Sequence, residues 1–375
     1  MTFFIKVMRK LRLQRLCFIL LHTGRLRGKR KAVWQDTEKA YARLARISPD
    51  VGGSSLCNNQ IKKNPEYDLQ IVVPAYNEER YIGACMDSIL RQVTDYRVLV
   101  VVVDDGSADG TASIVDAYAG VKNVRVIHQA NRGFSGARNA ALGVIEAKYV
   151  MFVDGDDMLA SGAVEVLLDE AFSSGADIVE GSFVAFSAQG RSRPLRHRRK
   201  RDAKASDLFG YVCGKVFSAR LFASVRFPEG YWFEDTICVY LLHPRARRIV
   251  TVDNIVYLYR RHGESISEVH KGSVRTLDAL YVTRHVLRDA HELGMVMDEE
   301  LYEAFLVDVK VNLSRFVWLA EGVHRDVFAA TCALRRAYFP HLRARNGELR
   351  ALEGALDRGD YELYRLFGRC YMGCR

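Results

Sequence analysis

Long apolar runs are missing from this sequence of 375 residues. No segment approaches the roughly 18 consecutive apolar residues that a membrane-spanning helix needs. The apolar stretch at residues 16–21 is too short for the core of a secretory signal peptide, and no small-residue cleavage site follows it. The sequence therefore predicts neither a transmembrane helix nor a secretory leader, and we expect a cytoplasmic protein.

Zinc-binding and disulfide patterns are also missing. Eight cysteines are present, but only Cys370 and Cys374 lie close together, and no set of cysteines and histidines has the spacing of a zinc site. This excludes a disulfide-stapled scaffold and favours a reduced chain. Apolar residues make up 49% of the sequence, which excludes global disorder, and the length allows two or three domains.

Acidic residues do not occur before Asp36, whereas basic residues run from Lys6 to Lys31. Apolar residues are interleaved with them, a pattern that predicts a helix lying on an anionic membrane surface. A basic tail without fixed structure and a helix packed on its own protein are the alternatives. The net charge of +10 also implies an anionic partner, but no nucleic-acid-binding motif is present, so we expect no nucleic acid.

Apolar runs alternate regularly with amphipathic segments from about residue 67 to residue 180. Residues 98–103 are six consecutive apolar residues, five of them valine, which predicts a strand buried on both faces. Similar strands are expected at residues 69–73, 124–127 and 149–153, with helices between them. This alternation predicts an α/β fold with a doubly wound, mostly parallel sheet.

The remainder of the chain is divided by composition. Apolar positions recur at helical spacing from about residue 270, which predicts a C-terminal helical region. The predicted divisions are an amphipathic extension and linker at 1–66, a nucleotide-binding half at 67–180, an acceptor-binding and catalytic-base half at 181–268, and the helical region at 269–375.

Carboxylates follow the predicted strand 149–153, in the order Asp154-Gly155-Asp156-Asp157. Carboxylates at a strand end can hold a hard divalent cation, which prefers oxygen ligands. A turn is the alternative, because Asp and Gly are favoured in turns for backbone reasons. The motif lies at the carboxyl edge of the predicted sheet, where ligands bind in such folds, and this favours the metal site.

Three other segments carry candidate binding or catalytic groups. Asp105 can accept bonds from ribose hydroxyls or a base N–H, whereas Asp109 can cap the next helix. Arg138 follows glycines that open a helix, and it can meet a diphosphate there. Glu234-Asp235 lies among aromatic residues, where a carboxylate can act as a general base or can simply begin a helix.

Arginine-rich segments occur further along the chain. Arg260 and Arg261 precede Ser265-Ile266-Ser267 and can bind a leaving diphosphate or lie on a polar face. Residues 191–204 contain eight basic residues and predict an exposed loop, which is usually only a solvated face.

Six short motifs occur in a fixed order. They are Val-Pro-Ala-Tyr-Asn-Glu (73–78), Val-Asp-Asp-Gly-Ser-Ala-Asp (103–109), Gly-Ala-Arg-Asn (136–139), Phe-Val-Asp-Gly-Asp-Asp (152–157), Phe-Glu-Asp (233–235) and Tyr-Arg…Ser-Ile-Ser (259–267). Each motif is weak alone, but the ordered set closely resembles family 2 glycosyltransferases of the GT-A fold. The resemblance covers about residues 68–268.

The resemblance implies a division of labour among the candidate residues. Mg²⁺ or Mn²⁺ would be held by Asp154 and Asp156, with Asp157 nearby. Asp235 would take the proton from the acceptor hydroxyl, and the anomeric centre would be inverted in one displacement. The residues expected to hold the nucleotide-sugar are Pro74, Tyr76, Glu78, Asp105, Arg138, Asp154 and Arg260.

These expectations predict an inverting, non-processive transferase that moves one sugar from a nucleotide-diphosphate sugar, here a UDP-sugar, to a hydroxyl of a glycan or lipid-linked glycan. No Gln-X-X-Arg-Trp motif of processive synthases is present. A nucleotidyltransferase is one alternative, although Ala-Tyr-Asn-Glu-Glu stands where its glycine-rich, basic phosphate loop would be. A non-enzymatic basic protein that binds peripherally to membranes is the other.

Overall fold

The computed structural model describes residues 36–263 and 272–372. The described residues form two compact units, one at 52–263 and one that combines 36–51 with 272–372. The membrane-surface helix predicted within residues 1–35 and the motif at 265–267 lie outside the described residues. None of the helices that the structure describes combines the length and apolarity needed to cross a bilayer.

The unit at 52–263 is built around a mixed ten-stranded sheet. The strands, in chain order, are β1 (Gln60–Ile61), β2 (Tyr67–Ala75), β3 (Val98–Asp104), β4 (Val124–His128), β5 (Val144–Ile145), β6 (Ala147–Phe152), β7 (Met158–Leu159), β8 (Ile178–Ser187), β9 (Gly190–Arg191), β10 (Lys200–Ala203), β11 (Lys215–Ser218) and β12 (Ile249–Arg260). The short strands β1 and β5 pair separately from the large sheet.

Two parallel blocks make up the large sheet. Its strand order is β10-β12-β8-β11-β6-β2-β3-β4, with β7 paired to β12 and β9 to β8. Strands β6, β2, β3 and β4 run parallel to one another, and β8 and β12 run parallel to each other. Strand β11 lies between the blocks and is antiparallel to both β6 and β8. The expected α/β fold is confirmed, and the sheet is mixed because β11 and the short strands β7, β9 and β10 are antiparallel to their neighbours.

The helices of this unit cover the sheet as an α/β alternation requires. They are α2 (Ile82–Leu90), α3 (Thr111–Asp116), α4 (Gly133–Leu142) and α5 (Ala163–Ser174). The valine-rich strand β3 is buried on both faces, because Leu99 to Val103 are each at most 3% exposed. Because both faces of β3 are covered, only the end of the strand is open to a ligand. A ligand site is therefore expected at the carboxyl edge of the sheet.

The other unit is helical. Its helices are α1 (Thr37–Ile47), α6 (Asp278–Glu292), α7 (Glu299–Phe316), α8 (Glu321–Tyr338), α9 (Arg350–Arg358) and α10 (Tyr361–Met372). Helix α1 packs on α8 through buried Ala40 and Leu44, and Arg43 pairs with Asp326 of α8. The predicted extension at 1–66 therefore divides: its described residues up to 51 belong with the C-terminal helices, whereas β1 belongs to the unit at 52–263.

Candidate active site

The loops that follow β2 and β3 are tied together by hydrogen bonds. The backbone N–H of Asn77 donates to Ser107 Oγ (3.0 Å), and the N–H of Ala108 donates to Asn77 Oδ1 (2.8 Å). The N–H of Gly110 donates to Glu79 Oε2 (2.8 Å). These reciprocal bonds hold two loops, which are 30 residues apart in sequence, as one surface at the carboxyl edge of the sheet.

Asp105 lies at this edge and is almost completely buried. Its Oδ1 accepts bonds from Gln129 Nε2 (2.6 Å) and from the N–H of Arg132 (2.9 Å). Its Oδ2 is buried and has no hydrogen-bond partner among the residues that the structure describes. A buried polar atom is nearly always satisfied in a native protein, so this oxygen is suited to a donor group on a ligand.

The other residues expected to hold the nucleoside surround the end of β2. Pro74 is inside the sheet, opposite Val103 of β3, and Tyr76 next to it is 49% exposed. The N–H of Glu78 donates to Thr111 Oγ1 (2.7 Å). Tyr76 therefore offers an aromatic face at the same edge as Asp105, while Pro74 and Glu78 shape the loop.

Gly155 brings the acidic motif against this loop. A Cβ on Gly155 would lie 3.0 Å from the carbonyl oxygen of Pro74 and 3.6 Å from Glu78 Cγ. The glycine is therefore needed for the close approach of the two backbones. The resulting contact brings residues 154–157 to the edge that carries Tyr76 and Asp105.

Asp154 has the most accessible carboxylate of the acidic motif, with a third of its side chain exposed. Its Oδ1 accepts from Arg138 Nη2 (2.6 Å), and its Oδ2 accepts from the Cys213 thiol (3.2 Å). Its N–H donates to the hydroxyl of Tyr257 (3.2 Å). Three segments that are distant in sequence thus fix the orientation of one carboxylate.

Asp156 is linked to the end of β12. His262 Nε2 lies 2.9 Å from Asp156 Oδ2, and Arg260 Nε donates to the carbonyl of Asp156 (2.7 Å). The Arg260 guanidinium also lies over the rings of Tyr81 (4.8 Å) and Phe186 (4.5 Å). Arg260 is therefore fixed beside the acidic motif, as a group that meets a diphosphate would have to be.

Asp157 is buried, and protein donors occupy both of its carboxylate oxygens. The hydroxyl of Tyr257 donates to Oδ2 (2.7 Å), and the N–H of Arg260 donates to Oδ1 (2.6 Å). The same Tyr257 hydroxyl accepts the N–H of Asp154, so one phenol orders both acids. In this arrangement Asp157 attaches the acidic loop to β12.

The charge environment of these acids suits a divalent cation. Burial raises the pKa of Asp156, and the Asp154 carboxylate raises it further, against the opposing effect of His262. Burial and then Asp156 raise the pKa of Asp157. A cation would relieve this repulsion, and carboxylate oxygens are the ligands that Mg²⁺ and Mn²⁺ prefer. In the described part of the chain, no group of three or more acids, histidines or cysteines is arranged so that it could hold a metal ion.

Arg138 joins the acidic motif to the segment that carries Asp235. Its guanidinium is buried and contacts both Asp154 and Glu234, and it faces the rings of Phe134 (5.7 Å) and Phe227 (5.4 Å). Burial raises the pKa of Glu234 to about 7, although Arg138 opposes the shift. Arg138 is thus placed to neutralise two acids at once, in addition to any role towards a diphosphate.

The segment before Asp235 is fixed by helix α4. The Asn139 side chain donates to the carbonyl of Phe227 (2.9 Å) and accepts its N–H (2.8 Å), as a neighbouring strand would. Arg132 makes a forked pair with Glu229 (2.7 and 2.9 Å from Nη2). Since α4 also supplies Arg138, one helix positions both the acidic motif and this segment.

Asp235 is half-buried and begins a turn of helix, because its carbonyl accepts the N–H of Cys238 (2.8 Å). Phe233 before it has a positive φ of 65°, a conformation that costs a bulky residue free energy. Such strain is retained where the surrounding structure requires it, often at a functional site. Asp235 is adjacent in the chain to Glu234, and so lies next to the Arg138 pair.

The structure adds three residues that the sequence reasoning did not assign. His262 contacts Asp156, Cys213 contacts Asp154, and Tyr257 contacts both Asp154 and Asp157. His262 follows Arg260 by two positions in Tyr-Arg-Arg-His, so proximity to the arginine was a usable signal. No sequence signal distinguishes Cys213 from the other scattered cysteines.

Known proteins share a large part of the unit that carries the candidate site. The sequence model described as Glycosyl transferase family 2 matches residues 70–226. Glycosyltransferase GlyG of Streptococcus pneumoniae serotype 4 is 30% identical over 218 residues, which are 53% of this chain and 72% of GlyG. The chain belongs to glycosyltransferase family 2. The predicted resemblance is confirmed.

Further relatives of this family 2 glycosyltransferase match over part of their length. The poly(ribitol-phosphate) beta-glucosyltransferase of Bacillus spizizenii is 30% identical over 213 residues, which are 53% of this chain but only 33% of that protein. Among solved structures, residues 1–349 of S. aureus TarS, in complex with UDP-GlcNAc, align with a TM-score of 0.66 at 20% identity, over 82% of this chain and 92% of that one. This likeness supports the GT-A-like fold.

Proposed function

We propose that this family 2 glycosyltransferase is an inverting, non-processive enzyme that moves one sugar from a UDP-sugar to a hydroxyl of a glycan or lipid-linked glycan, with the help of Mg²⁺ or Mn²⁺. The observation that carries the proposal is the juxtaposition of two features at one sheet edge. The first is the buried, unpartnered Oδ2 of Asp105, and the second is the crowded pair Asp154 and Asp156.

The nucleoside end of the donor is assigned to the loops after β2 and β3. Asp105 Oδ2 would accept a bond from a base N–H or a ribose hydroxyl, and the exposed ring of Tyr76 offers a stacking face. Pro74 and Glu78 would line the same loop. A uridine donor is favoured because the TarS structures with a similar fold hold UDP-GlcNAc and UDP.

The diphosphate end is assigned to the acidic motif and the end of β12. Asp154 and Asp156 would hold the divalent cation, with His262 Nε2 beside Asp156. The buried Asp157 would attach the acidic loop to β12. When bound, the cation neutralises the charge that develops on the leaving diphosphate. Arg260, stacked between Tyr81 and Phe186, would add a fixed positive charge for the same oxygens.

Asp235 is proposed as the base that accepts the proton of the acceptor hydroxyl. Its neighbour Glu234 pairs with Arg138, and Asp235 begins the turn of helix that follows Phe233. Removal of the proton strengthens the nucleophile as the bond to the diphosphate breaks on the opposite side of the sugar. One displacement of this kind inverts the anomeric centre.

The acceptor is proposed to be a glycan. Relatives of this chain include a poly(ribitol-phosphate) beta-glucosyltransferase, a chondroitin synthase of Escherichia coli and a minor teichoic acid biosynthesis protein of Bacillus subtilis. Each of these names refers to a polymer that serves as acceptor or product, and we therefore infer a role in polysaccharide synthesis.

Wild-type protein with Mn²⁺ should be stabilised against heat by UDP and by one or more UDP-sugars, and it should slowly release UDP from the matching donor. At a ligand concentration near 100 Kd the gain is about 2.7 kcal/mol. UMP, which lacks the second phosphate, is the control and should give a smaller gain that does not depend on Mn²⁺. Absence of nucleotide stabilisation together with absence of nucleoside diphosphate release would refute the proposed function.

We also propose that residues 1–35 bind anionic membrane surfaces, since they mix basic and apolar residues without an acid. In liposome flotation, full-length protein should float with phosphatidylglycerol vesicles, and its binding should weaken as salt rises. A shortened protein that starts near Glu38 should stay at the bottom of the gradient. Equal flotation of the two proteins contradicts this assignment.

A further inference from the structure

A strongly basic segment lies along the outer part of the sheet, and we call residues 190–204 the basic ribbon. It contains eight basic residues and a single acid, Asp202. The sequence alone assigned it to an exposed loop with no role. The structure gives the ribbon a fixed course, which neither the family match at 70–226 nor the proposed function explains.

The basic ribbon begins at the edge of the sheet that carries the candidate active site. Arg191 of β9 pairs with Phe186 of β8, and Phe186 pairs in turn with Arg260 of β12. The chain then returns along β8, with Leu195 opposite Phe183. It continues as β10, which runs antiparallel to β12. The ribbon therefore leads away from Arg260, which contacts the acidic motif, along the side of the sheet.

Backbone bonds and one buried side chain hold the basic ribbon in place. Leu195 and Phe183 exchange two backbone hydrogen bonds (2.9 and 3.1 Å). His197 is buried in the middle of the ribbon, where its N–H donates to Ser182 Oγ (2.9 Å) and its ring lies 4.3 Å from that of Phe209. Its Nε2 is 2.9 Å from the buried carboxylate of Glu180. The arginines on either side are thus attached to a fixed backbone.

Most of the charge on the basic ribbon is not used within the described part of the protein. Arg199 pairs with Glu170, and Lys200 pairs with Asp207. Five arginines are exposed and have no ion pair or side-chain hydrogen bond to a described residue: Arg191, Arg193, Arg196, Arg198 and Arg201. Unpaired guanidinium groups on a fixed backbone are suited to bind phosphate or carboxylate groups by forked hydrogen bonds.

Apolar groups next to the arginines suit a sugar chain better than a bilayer. Tyr211 is 55% exposed, and its ring packs edge-on against Phe183 (6.0 Å), which is paired with Leu195 of the ribbon. An exposed aromatic face can pack against the apolar face of a sugar ring. A membrane-binding segment would need several apolar side chains to insert, and Leu195 is the one large apolar side chain of the ribbon.

We propose that the basic ribbon binds an acceptor polymer with repeating anionic groups, either phosphodiesters or carboxylates, and delivers it to the edge that carries Arg260 and the acidic motif. The proposal rests on the proposed function, because it names the class of acceptor for the same site. The ribbon binds the polymer away from the reacting sugar. It should therefore change the affinity for long acceptors and leave the donor site unchanged.

The test compares two triple variants of the full-length protein with the same change in net charge. The ribbon variant is Arg193→Gln, Arg196→Gln, Arg198→Gln. The control variant is Arg46→Gln, Lys63→Gln, Lys122→Gln, which removes three exposed, unpaired charges elsewhere. Fluorescence anisotropy measures binding of labelled poly(glycerol phosphate), hyaluronan and neutral dextran, so that phosphodiester, carboxylate and uncharged chains are distinguished.

We expect the wild type and the control variant to bind at least one anionic polymer, with affinity that falls as salt rises, and not to bind dextran. The ribbon variant should bind that polymer about tenfold more weakly, as the loss of three exposed charge contacts implies. Heat stabilisation by UDP and Mn²⁺ should be equal in all three proteins. Normal polymer binding with no response to nucleotides would refute the proposed function and leave the ribbon assignment standing.

Three results overturn the ribbon assignment. The first is unchanged polymer binding by the ribbon variant. The second is an equal loss of binding in both variants, which shows an effect of net charge alone. The third is a loss of binding to phosphatidylglycerol vesicles with polymer binding retained, which assigns the ribbon to a membrane.

Discussion

Asp235→Asn should lower the turnover number by roughly 10²–10⁴-fold, the usual contribution of a positioned base, while the affinity for the UDP-sugar barely changes. The substitution keeps the shape of the side chain and removes its basicity. Asp235 is assigned to the acceptor side, so it has little contact with the nucleotide to lose. Initial rates of UDP release with acceptor present, together with donor affinity from calorimetry, measure the two effects separately.

Glu234→Gln is the matched control, and the contacts of Glu234 in the structure predict its effect. Glu234 is buried and contacts Arg138, and burial raises its pKa to about 7, a value that would also suit a base. We expect Glu234→Gln to weaken the attachment of the loop and lower the melting temperature, with a smaller loss of turnover than Asp235→Asn. Normal transfer by Asp235→Asn beside an inactive Glu234→Gln would assign the base to Glu234. Loss of UDP binding in Asp235→Asn would instead assign Asp235 a structural role at its helix start.

Asp156→Ala should abolish the dependence of UDP binding on Mn²⁺. It should also remove several kcal/mol of transition-state stabilisation, which lowers the transfer rate about 10²–10⁴-fold. The cause is the loss of a carboxylate that His262 holds at the sheet edge. The measurement is heat stabilisation by UDP over a titration of Mn²⁺, with transfer rates taken in parallel.

Asp95→Ala is the control for this substitution, because Asp95 is an exposed acid on the loop before β3. It should bind UDP and Mn²⁺ as the wild type does. The metal assignment fails if Asp156→Ala transfers sugar at the normal rate, or if the wild type keeps full activity in EDTA.

The strands and helices of the parallel block follow directly from sequence patterns. Residues 99–103 of the run at 98–103 are buried, as its composition requires, and the polar residues after it reach the ligand edge because a parallel sheet collects strand ends there. Strand β11 was not predicted. It is four residues long and begins with Lys215, which is buried only because Glu180 pairs with it at 2.5 Å. A contact with a partner 35 residues away is not visible in a local pattern.

The sequence motifs predicted which acids lie at the site, but they did not predict which side chains contact those acids. Asp105, Asp154 and Asp156 are at the expected strand ends, because a strand fixes the position of the residue that follows it. The partners of these acids come from segments far away in sequence: 59 residues separate Cys213 from Asp154, and 106 separate His262 from Asp156. Such pairs depend on how the second parallel block joins the first through β11, and that is a property of the tertiary fold.

Arg138 is shared between Asp154 and Glu234, and this sharing makes the two sides of the reaction thermodynamically interdependent. If the Asp154 carboxylate turned towards the cation of an arriving donor, it would hold Arg138 less strongly, and Arg138 could then bind Glu234 more fully. Linkage of this kind is reciprocal. If the bound donor raises the affinity for the acceptor, then an acceptor that orders the Glu234 segment raises the affinity for the donor by the same factor. Acceptor affinity should accordingly rise once the donor is bound, which favours an ordered sequence in which the nucleotide-sugar enters first.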